Sequence, residues 1–394
     1  MKLGWKQAQL GDLAHFDRGL TYAKKDEVDF SSSVVLRANN ITLGTNQLNF
    51  DEMRYISDSI EIPSNKRVRD GSILICTASG SKSHLGKAAI ISGGINYAFG
   101  GFMGLITPNE QILSRYLYYF FLSQEYRSHI TNLTDGTNIN NLKWNQLSSF
   151  NVPLPPLEEQ RRIVAILDEA FEGLETAQAN AKANLASAEE MFRSHLNATF
   201  PNVVETNENA LKEGWELKKL SEICEILNSL RIPITKSKRA AGPYPYYGAS
   251  GIVDYVKDFI FDEELLLVSE DGANLIARTY PIAFRVSGKC WVNNHAHVLK
   301  FEDQQLSRYV ELYLNSISVE QWVSGAAQPK LNQAKLREIT VPLPPIQEMV
   351  RIMAITDKIQ SQIDHLKKDM NHKLSQIREL KQSLLQKAFA GELT

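Results

Sequence analysis

Several stretches of the chain crowd lysine, arginine, asparagine, serine and histidine around glycine. These are the side chains that bond phosphate oxygens and base edges, and glycine lets backbone approach a duplex. In the first half the strongest is TASGSKSHLGK (Thr77–Lys87), which follows the apolar run Ser72–Cys76 and offers Ser79, Ser81, Lys82, His84 and Lys87. Arg37 with Asn39 and Asn40 comes second, and Asn65, Lys66, Arg67 and Arg69 third. A polar loop from Gly136 to Asn141 adds Asn138 and Asn140. In the second half, RIPITKSKRAAGPYPYYGASG (Arg231–Gly251) interleaves Arg231, Lys236, Lys238 and Arg239 with Tyr244, Tyr246 and Tyr247, a mixture that suits a nucleic-acid surface. EDGANLIAR (Glu270–Arg278) contributes Asn274 and Arg278. Asn293, Asn294 and His295 follow the next apolar run, and Lys330 lies in a glycine-led loop. Each stretch competes with a plain reading as a solvated loop, and each tyrosine with a place in the core.

Catalytic chemistry is harder to find. An adenine methyltransferase needs a polar-Pro-Pro-aromatic motif to hold a flipped base; both Pro-Pro pairs here stand between Leu154 and Leu157 or between Leu343 and Ile346. A nuclease needs clustered carboxylates and a lysine. Glu216-Leu217-Lys218 is present, no Pro-Asp precedes it, and it reads as an exposed strand edge. No GxxxxGK[ST] loop occurs for a nucleotide triphosphate, and FGGFMG (Phe99–Gly104) reads as a strand-to-strand connection rather than a cofactor turn. His295 and His297 share a strand face without a third ligand nearby, so a core or DNA-facing role outweighs metal binding.

The elements that must position these loops come from a chain of 394 residues, 43% hydrophobic and 22% charged, with net charge −2. That length supports two domains with cores of their own. The charge excludes a general polycation but allows a basic face. Cys76, Cys224 and Cys290 lie far apart and suggest neither a disulfide framework nor a zinc site. With no signal-type leader and no long apolar run, a reducing cytoplasm fits.

An internal repeat organises the chain. The segment from Leu142 recurs from Leu331, an offset of 189 residues, with Val-Pro-Leu-Pro-Pro and the following Ile, Ala, Ile and Asp at equal spacing. Fainter echoes pair Trp5 with Trp215, SRYLYYFFLS at Ser114 with SRYVELYLNS at Ser307, and the loop at Gly136 with that at Gly325. The short apolar runs Ser72–Cys76, Ala88–Ser92, Glu264–Ser269 and His297–Phe301 read as strands, and the segments that continue the SRY echoes, RYLYYFFLSQEYRSHI (Arg115–Ile130) and RYVELYLNSISVEQWV (Arg308–Val323), as helices. The repeat predicts residues 1–152 and 205–341 as mixed α/β domains, and residues 153–204 and 342–394 as long-helix spacers.

Each spacer opens on Pro-Pro, which is tolerated in a first helical turn, and Glu158 and Glu159 suit the positive end of a helix dipole. Apolar residues then recur at three and four: Ile163, Leu167, Ala170, Leu174, Ala177, Ala181, Leu185, Ala188 and Phe192. The second copy runs Ile352, Ile355, Ile359, Ile363, Leu366, Met370, Leu374, Ile377, Leu380, Leu384 and Ala388. Such a seam is a coiled-coil signature. Residues 157–200 carry eight acidic and four basic side chains, residues 346–391 five acidic and eight basic, so the two helices favour each other over their own kind. About 44 residues at about 1.5 Å each span about 65 Å, more than a small domain covers.

PLPPLEEQRRIVAILD, PLPPIQEMVRIMAITD and the tail SLLQKAFAGEL resemble the helical regions of Type I restriction–modification specificity subunits, and the resemblance covers essentially the whole chain. Met349 departs from the pattern where Gln160 stands in the first copy. The resemblance implies an α+β fold in which two target-recognition domains are separated by two long helices pairing as an antiparallel coiled coil with pseudo-two-fold repeat. It also implies a non-catalytic subunit that reads a split site in double-stranded DNA. The helices would set the spacer and dock two methyltransferase subunits and the restriction/translocase subunits, with no membrane involved. No cofactor is expected on this chain; S-adenosylmethionine, ATP and Mg belong to the partners. Two other readings stay open: a fused methyltransferase or nuclease with degenerate motifs, and a coiled-coil scaffold whose ends bind proteins.

Overall fold

In the computed structural model, residues 4–134, 141–200, 212–325 and 328–393 are described. The repeated Val-Pro-Leu segment is a strand in both copies. Asn151–Leu154 pairs antiparallel with Lys6–Gln9, and Thr340–Leu343 pairs likewise with Glu216–Lys219. Each ladder has only two strands, so Pro153 and Pro342 sit where a missing N–H is tolerated. Directly after each Pro-Pro pair begins an unbroken helix: the central helix Leu157–Thr199 and the C-terminal helix Ile346–Ala390.

The chain divides into two compact units, Met1–Ala181 with His372–Thr394, and Lys182–Asn371. Each unit therefore takes half of both long helices. In unit 1 one antiparallel sheet runs in the order Ala14–Arg18, Met103–Pro108, Ile73–Cys76, Ala88–Ile90. A second runs Glu27–Val28, Arg54–Ile56, Ser33–Leu36, Ala98–Phe99, its last pair parallel. The central strand Ile73–Cys76 is buried on both faces, as the two-residue period of a strand allows. Ile73 and Ile75 join the helices in one cluster, while Leu74 and Cys76 meet Phe99 and Leu105 in another.

Unit 2 builds the same plan. Its first sheet runs Glu225–Ile226, Ala296–Lys300, Leu265–Ser269, Ala283–Val286. Its second runs Gly251–Val256, Ala241–Gly248, Lys289–Val292, Phe261–Asp262, with one parallel pair that here lies at its centre rather than at its edge. Leu266 and Val268 face the helical cluster, and Leu265 and Leu267 the other side. The fold is thus α+β, duplicated, with two long helices.

Matching contacts tie the helices to each unit. Arg115 Nε donates to Asp168 at 2.8 Å, and Arg308 Nη2 to Asp357 at 2.7 Å. The Tyr116 hydroxyl donates to the Pro153 carbonyl at 2.9 Å, and that of Tyr309 to Pro342 at 2.6 Å. Phe389 packs edge-on to Tyr116 and Phe120, as Phe200 does to Tyr309 and Tyr313. Within unit 2, Glu189 pairs with Lys367 at 3.0 Å and His195 with Thr356. Partner numbers fall as central-helix numbers rise, so the two helices run antiparallel.

Three seam positions differ from the sequence expectation. Ala177, Ile355 and Leu380 are exposed, while their neighbours Gln178, Thr356 and Lys381 turn inward. Alternating steps of three and four fix which residue faces the partner, whatever its hydropathy. Lys381 fits because its ammonium lies over the Phe171 ring and 3.5 Å from Glu175. The first SRY segment also proves to be two helices, Ser114–Phe121 and Gln124–Thr134, broken where the Ser123 hydroxyl accepts from the Tyr126 N–H. In the second, the helix ends at Ser316 and Glu320–Trp322 is a single 3₁₀ turn.

The Gln160 side chain is fully buried. It accepts from the Leu113 N–H and donates to the carbonyls of Gln111 and Pro155, tying the strand–helix joint to the loop before Ser114. Its counterpart Met349 instead packs in the apolar cluster of unit 2.

Candidate nucleic-acid interface

In each unit three segments are joined by backbone hydrogen bonds at one end of the first sheet. In unit 1 the strand Ile73–Cys76 runs out into Thr77, whose N–H donates to the Phe102 carbonyl at 2.9 Å and whose own carbonyl accepts from Leu142 at 2.7 Å. In unit 2 Leu265–Ser269 runs out into Glu270, whose N–H donates to His295 at 2.9 Å and whose carbonyl accepts from Leu331 at 2.8 Å. The next residues complete the match through the bridges Ala78 to Asn141 and Asp271 to Lys330. This scaffold collects the loop Thr77–Lys87, the turn after Phe99 and the chain entering Leu142, together with their unit 2 equivalents.

The scaffold's side chains differ sharply. Unit 1 presents Thr77, Ala78, Phe102 and Asn141; unit 2 presents Glu270, Asp271, His295 and Lys330. Glu270 gathers Arg231 at 2.6 Å and Lys330 at 3.1 Å. Burial opposes its charge, but the hydrogen-bonded cations Arg231 and Lys330 outweigh that and hold its carboxyl below the usual carboxylate range. His295 Nδ1 lies 2.8 Å from Asp271. His297 is fully buried. Its Nε2 meets the Leu331 carbonyl and its Nδ1 the Asn228 amide nitrogen. The Asn228 oxygen accepts from the Val298 N–H, so its nitrogen must donate to Nδ1, and the ring is satisfied while neutral. Burial accordingly pulls the His297 pKa down.

The residues singled out in the sequence divide by where their donors go. Two are corrections. Lys87 is 2% exposed and donates to the Ile41 carbonyl inside unit 1, and burial lowers its pKa; it is not available to a ligand. Tyr246 is 1% exposed, its hydroxyl accepting from Ile234 and its ring covered by Arg239 at 4.5 Å. Others serve the fold at the surface. Lys66 donates to the Arg18 carbonyl, Arg67 to Asn96, and Arg69 to Asp17 at 2.7 Å. Asn39 donates to Glu52, Arg239 to Asp254, and Arg278 to the Leu314 carbonyl, with burial pushing its guanidinium down to about 10. Asn274 closes its own turn through Thr279 and Tyr280. Tyr247 is half-buried against Phe284.

What remains toward solvent is compact in sequence. In unit 1 the loop Ser79–His84 holds Lys82 and Ser81 exposed and Ser79 and His84 half-buried, with hydroxyls of Ser81 and Ser83 bonded to each other. Arg37 is half-buried at the end of Ser33–Leu36, its Nε without a protein partner. In unit 2 Lys236, Lys238, Asn294 and His295 are exposed, and half of the Lys330 side chain. Asn138 and Asn140 lie outside the described residues. Phe102, which the sequence did not single out, also lies on the shared scaffold and is 73% exposed; the glycine pair ahead of it was the available signal. Among the described residues no group of His, Cys, Asp or Glu could hold a metal ion, and no helix is long and apolar enough to cross a membrane.

The model of the Type I restriction modification DNA specificity domain matches residues 2–185 and again 212–376. The chain is 26% identical to the Type I restriction enzyme EcoKI specificity subunit of Escherichia coli, over 99% of this chain and 89% of that protein. It is 22% identical to the putative MjaX specificity subunit of Methanocaldococcus jannaschii, over 99% and 93%. Among solved structures, a chain from a study of complex assembly and conformational transition of the type I R-M system superposes with TM-score 0.77 at 20% identity, covering 100% of this chain and 99% of that one. The HsdS subunit of Thermoanaerobacter tengcongensis gives 0.53 at 20% identity, covering 100% and 98%. At that identity these two speak for the fold.

Proposed function

Because the chain belongs to the family of Type I restriction modification DNA specificity domains, we propose that each of its two units reads one half of a bipartite target in double-stranded DNA. The observation that carries this is the scaffold built twice on the same backbone bonds but dressed with different side chains. A duplicated reader of two unlike half-sites needs that combination: constant geometry for docking and variable groups for base edges. Lys82 in unit 1 and Lys236 and Lys238 in unit 2, all exposed, are the cations suited to phosphate contact.

In this reading the chain supplies specificity and no catalytic group. The two long helices set the distance between half-sites and carry the docking surface for two methyltransferase subunits and the restriction/translocase subunits. S-adenosylmethionine, ATP and Mg are bound by those partners. Reading chromosomal DNA places the work in the cytoplasm.

Sequencing modified bases in a host carrying this chain and its partner subunits tests the proposal. The expected result is methylation at a split motif with a fixed gap, lost when the chain is deleted. Binding of the purified chain with its methyltransferase partners to duplex DNA should fall steeply with salt. Methyl transfer by the chain alone would favour a fused enzyme. Absence of salt-sensitive DNA affinity with and without partners would favour a protein scaffold.

A further inference from the structure

Phe102 is a large apolar side chain that stands in the open, 73% exposed. Its carbonyl accepts from the N–H groups of Thr77 and Ala78 and from the Thr77 hydroxyl, which pins the backbone from which the ring projects. The approach of the neighbouring chain is equally tight. Gly19 donates to the Met103 carbonyl, and a Cβ placed on Gly19 would stand 1.9 Å from the Gly100 oxygen. Other exposed rings lack this setting: Phe30, for instance, leans on Tyr55.

The unit 2 counterpart defines what the position is for. The Gly100 N–H donates to Leu36 as the Asn293 N–H does to Tyr247, and the Phe102 carbonyl accepts from Thr77 as that of His295 does from Glu270. Phe102 and His295 therefore occupy one scaffold position. At His295 the ring is half-exposed and oriented by Asp271; Nδ1 carries the hydrogen that the carboxylate accepts, leaving Nε2 for a ligand. Beside Phe102 stands Ala78 where Asp271 stands in unit 2. One site is apolar and the other hydrogen-bonding on identical backbone.

We propose that this turn is a base-contacting position in both units, with Phe102 seated on a thymine C5-methyl group in the major groove and His295 hydrogen-bonding a base edge in the other half-site. The inference rests on the DNA-reading proposal above and deepens it. Thymine's methyl is the apolar feature that the major groove offers, and phenylalanine and alanine are side chains suited to it. His295 and its acidic neighbour suit amino or ring-nitrogen groups instead.

The test uses the full chain assembled with its methyltransferase partners and the duplex target mapped for the wild type. Each thymine is replaced in turn by deoxyuridine, which removes only the methyl. For the wild type, one or two replacements in one half-site should weaken binding about four-fold each, the worth of one buried methyl. Phe102→Ala should weaken the thymine duplex by a similar factor and become indifferent to those replacements. Phe102→Leu should stay sensitive. Affinity for random duplex and its salt slope should not move, and His295→Ala should change preference in the opposite half-site alone. Wild-type indifference to every deoxyuridine, half-sites without thymine, or a Phe102→Ala profile matching wild type would overturn the proposal while leaving DNA reading intact. A wild-type complex with no preferred duplex would overturn both. The wild-type profile decides even if Phe102→Ala fails to fold.

Discussion

His195 Nε2 and Thr356 Oγ1 lie 3.0 Å apart in the helix seam of unit 2. The positions related to them by the repeat are Leu384 and Leu167, both in the apolar cluster of unit 1. A polar pair inside a seam costs stability relative to leucine, and its best-attested use is to fix register and partner choice. Here it marks one half of a duplicated rod as different from the other.

Replacing Thr356 by valine keeps the shape and removes the partner of His195, so unit 2 should lose about 1 kcal/mol in urea unfolding. Replacing both residues by leucine should restore or raise stability, because no polar group is then left without a partner. Equal losses in the single and double variants would show that the hydrogen bond plays no part.

Unit 2 should weaken in mild acid. His297 is buried neutral and its folded pKa lies below the ordinary histidine value. A base with a depressed folded pKa is fully stabilising above its unfolded pKa of about 6.5, and that contribution falls away as pH drops below it. Melting of the wild type from pH 7.5 to 5.5 should therefore show a fall in stability that His297→Gln flattens. An identical slope in the variant would refute the assignment.

Gln160→Met converts unit 1's joint into the side chain found at Met349. It orphans the Leu113 N–H and the carbonyls of Gln111 and Pro155, and should cost about 2 kcal/mol or more in unit 1. Unit 2 melting should be unchanged. A neutral result would mean that water replaces the amide in full.

Lengthening both long helices by one heptad adds about 10 Å of helix, about three base pairs at about 3.4 Å each. The mapped target should keep both half-site sequences and gain spacer between them. An unchanged spacer in methylation maps would defeat the proposed role of the helices.

The duplicated plan was legible because a gapless repeat of Val-Pro-Leu-Pro-Pro and its following helix cannot arise without repeated structure. Burial of single residues was less so. Ile355 is exposed and Thr356 buried, since helix geometry chose the inward position and His195 made threonine acceptable there. The same limit applied to the site. Interleaved tyrosines and cations at 231–251 could not say that Tyr246 is inside while Lys236 and Lys238 are outside. Lys87 looked like a loop cation, but the loop's end returns into the sheet at Ala88 and carries the ammonium with it. Phe102 stayed hidden because its turn shares no sequence with Asn293-Asn294-His295; only the backbone bonds align them.

Unit 1 is assembled from two distant stretches, with Leu385, Ala388 and Phe389 completing a core begun by Leu10, Leu13 and Tyr116. On the ribosome those closing residues emerge after all of unit 2. Until then Ile163 and Leu167 lack part of the apolar cover that Leu385, Ala388 and Phe389 give them, so unit 1 cannot close its core before the last turns of the chain are made.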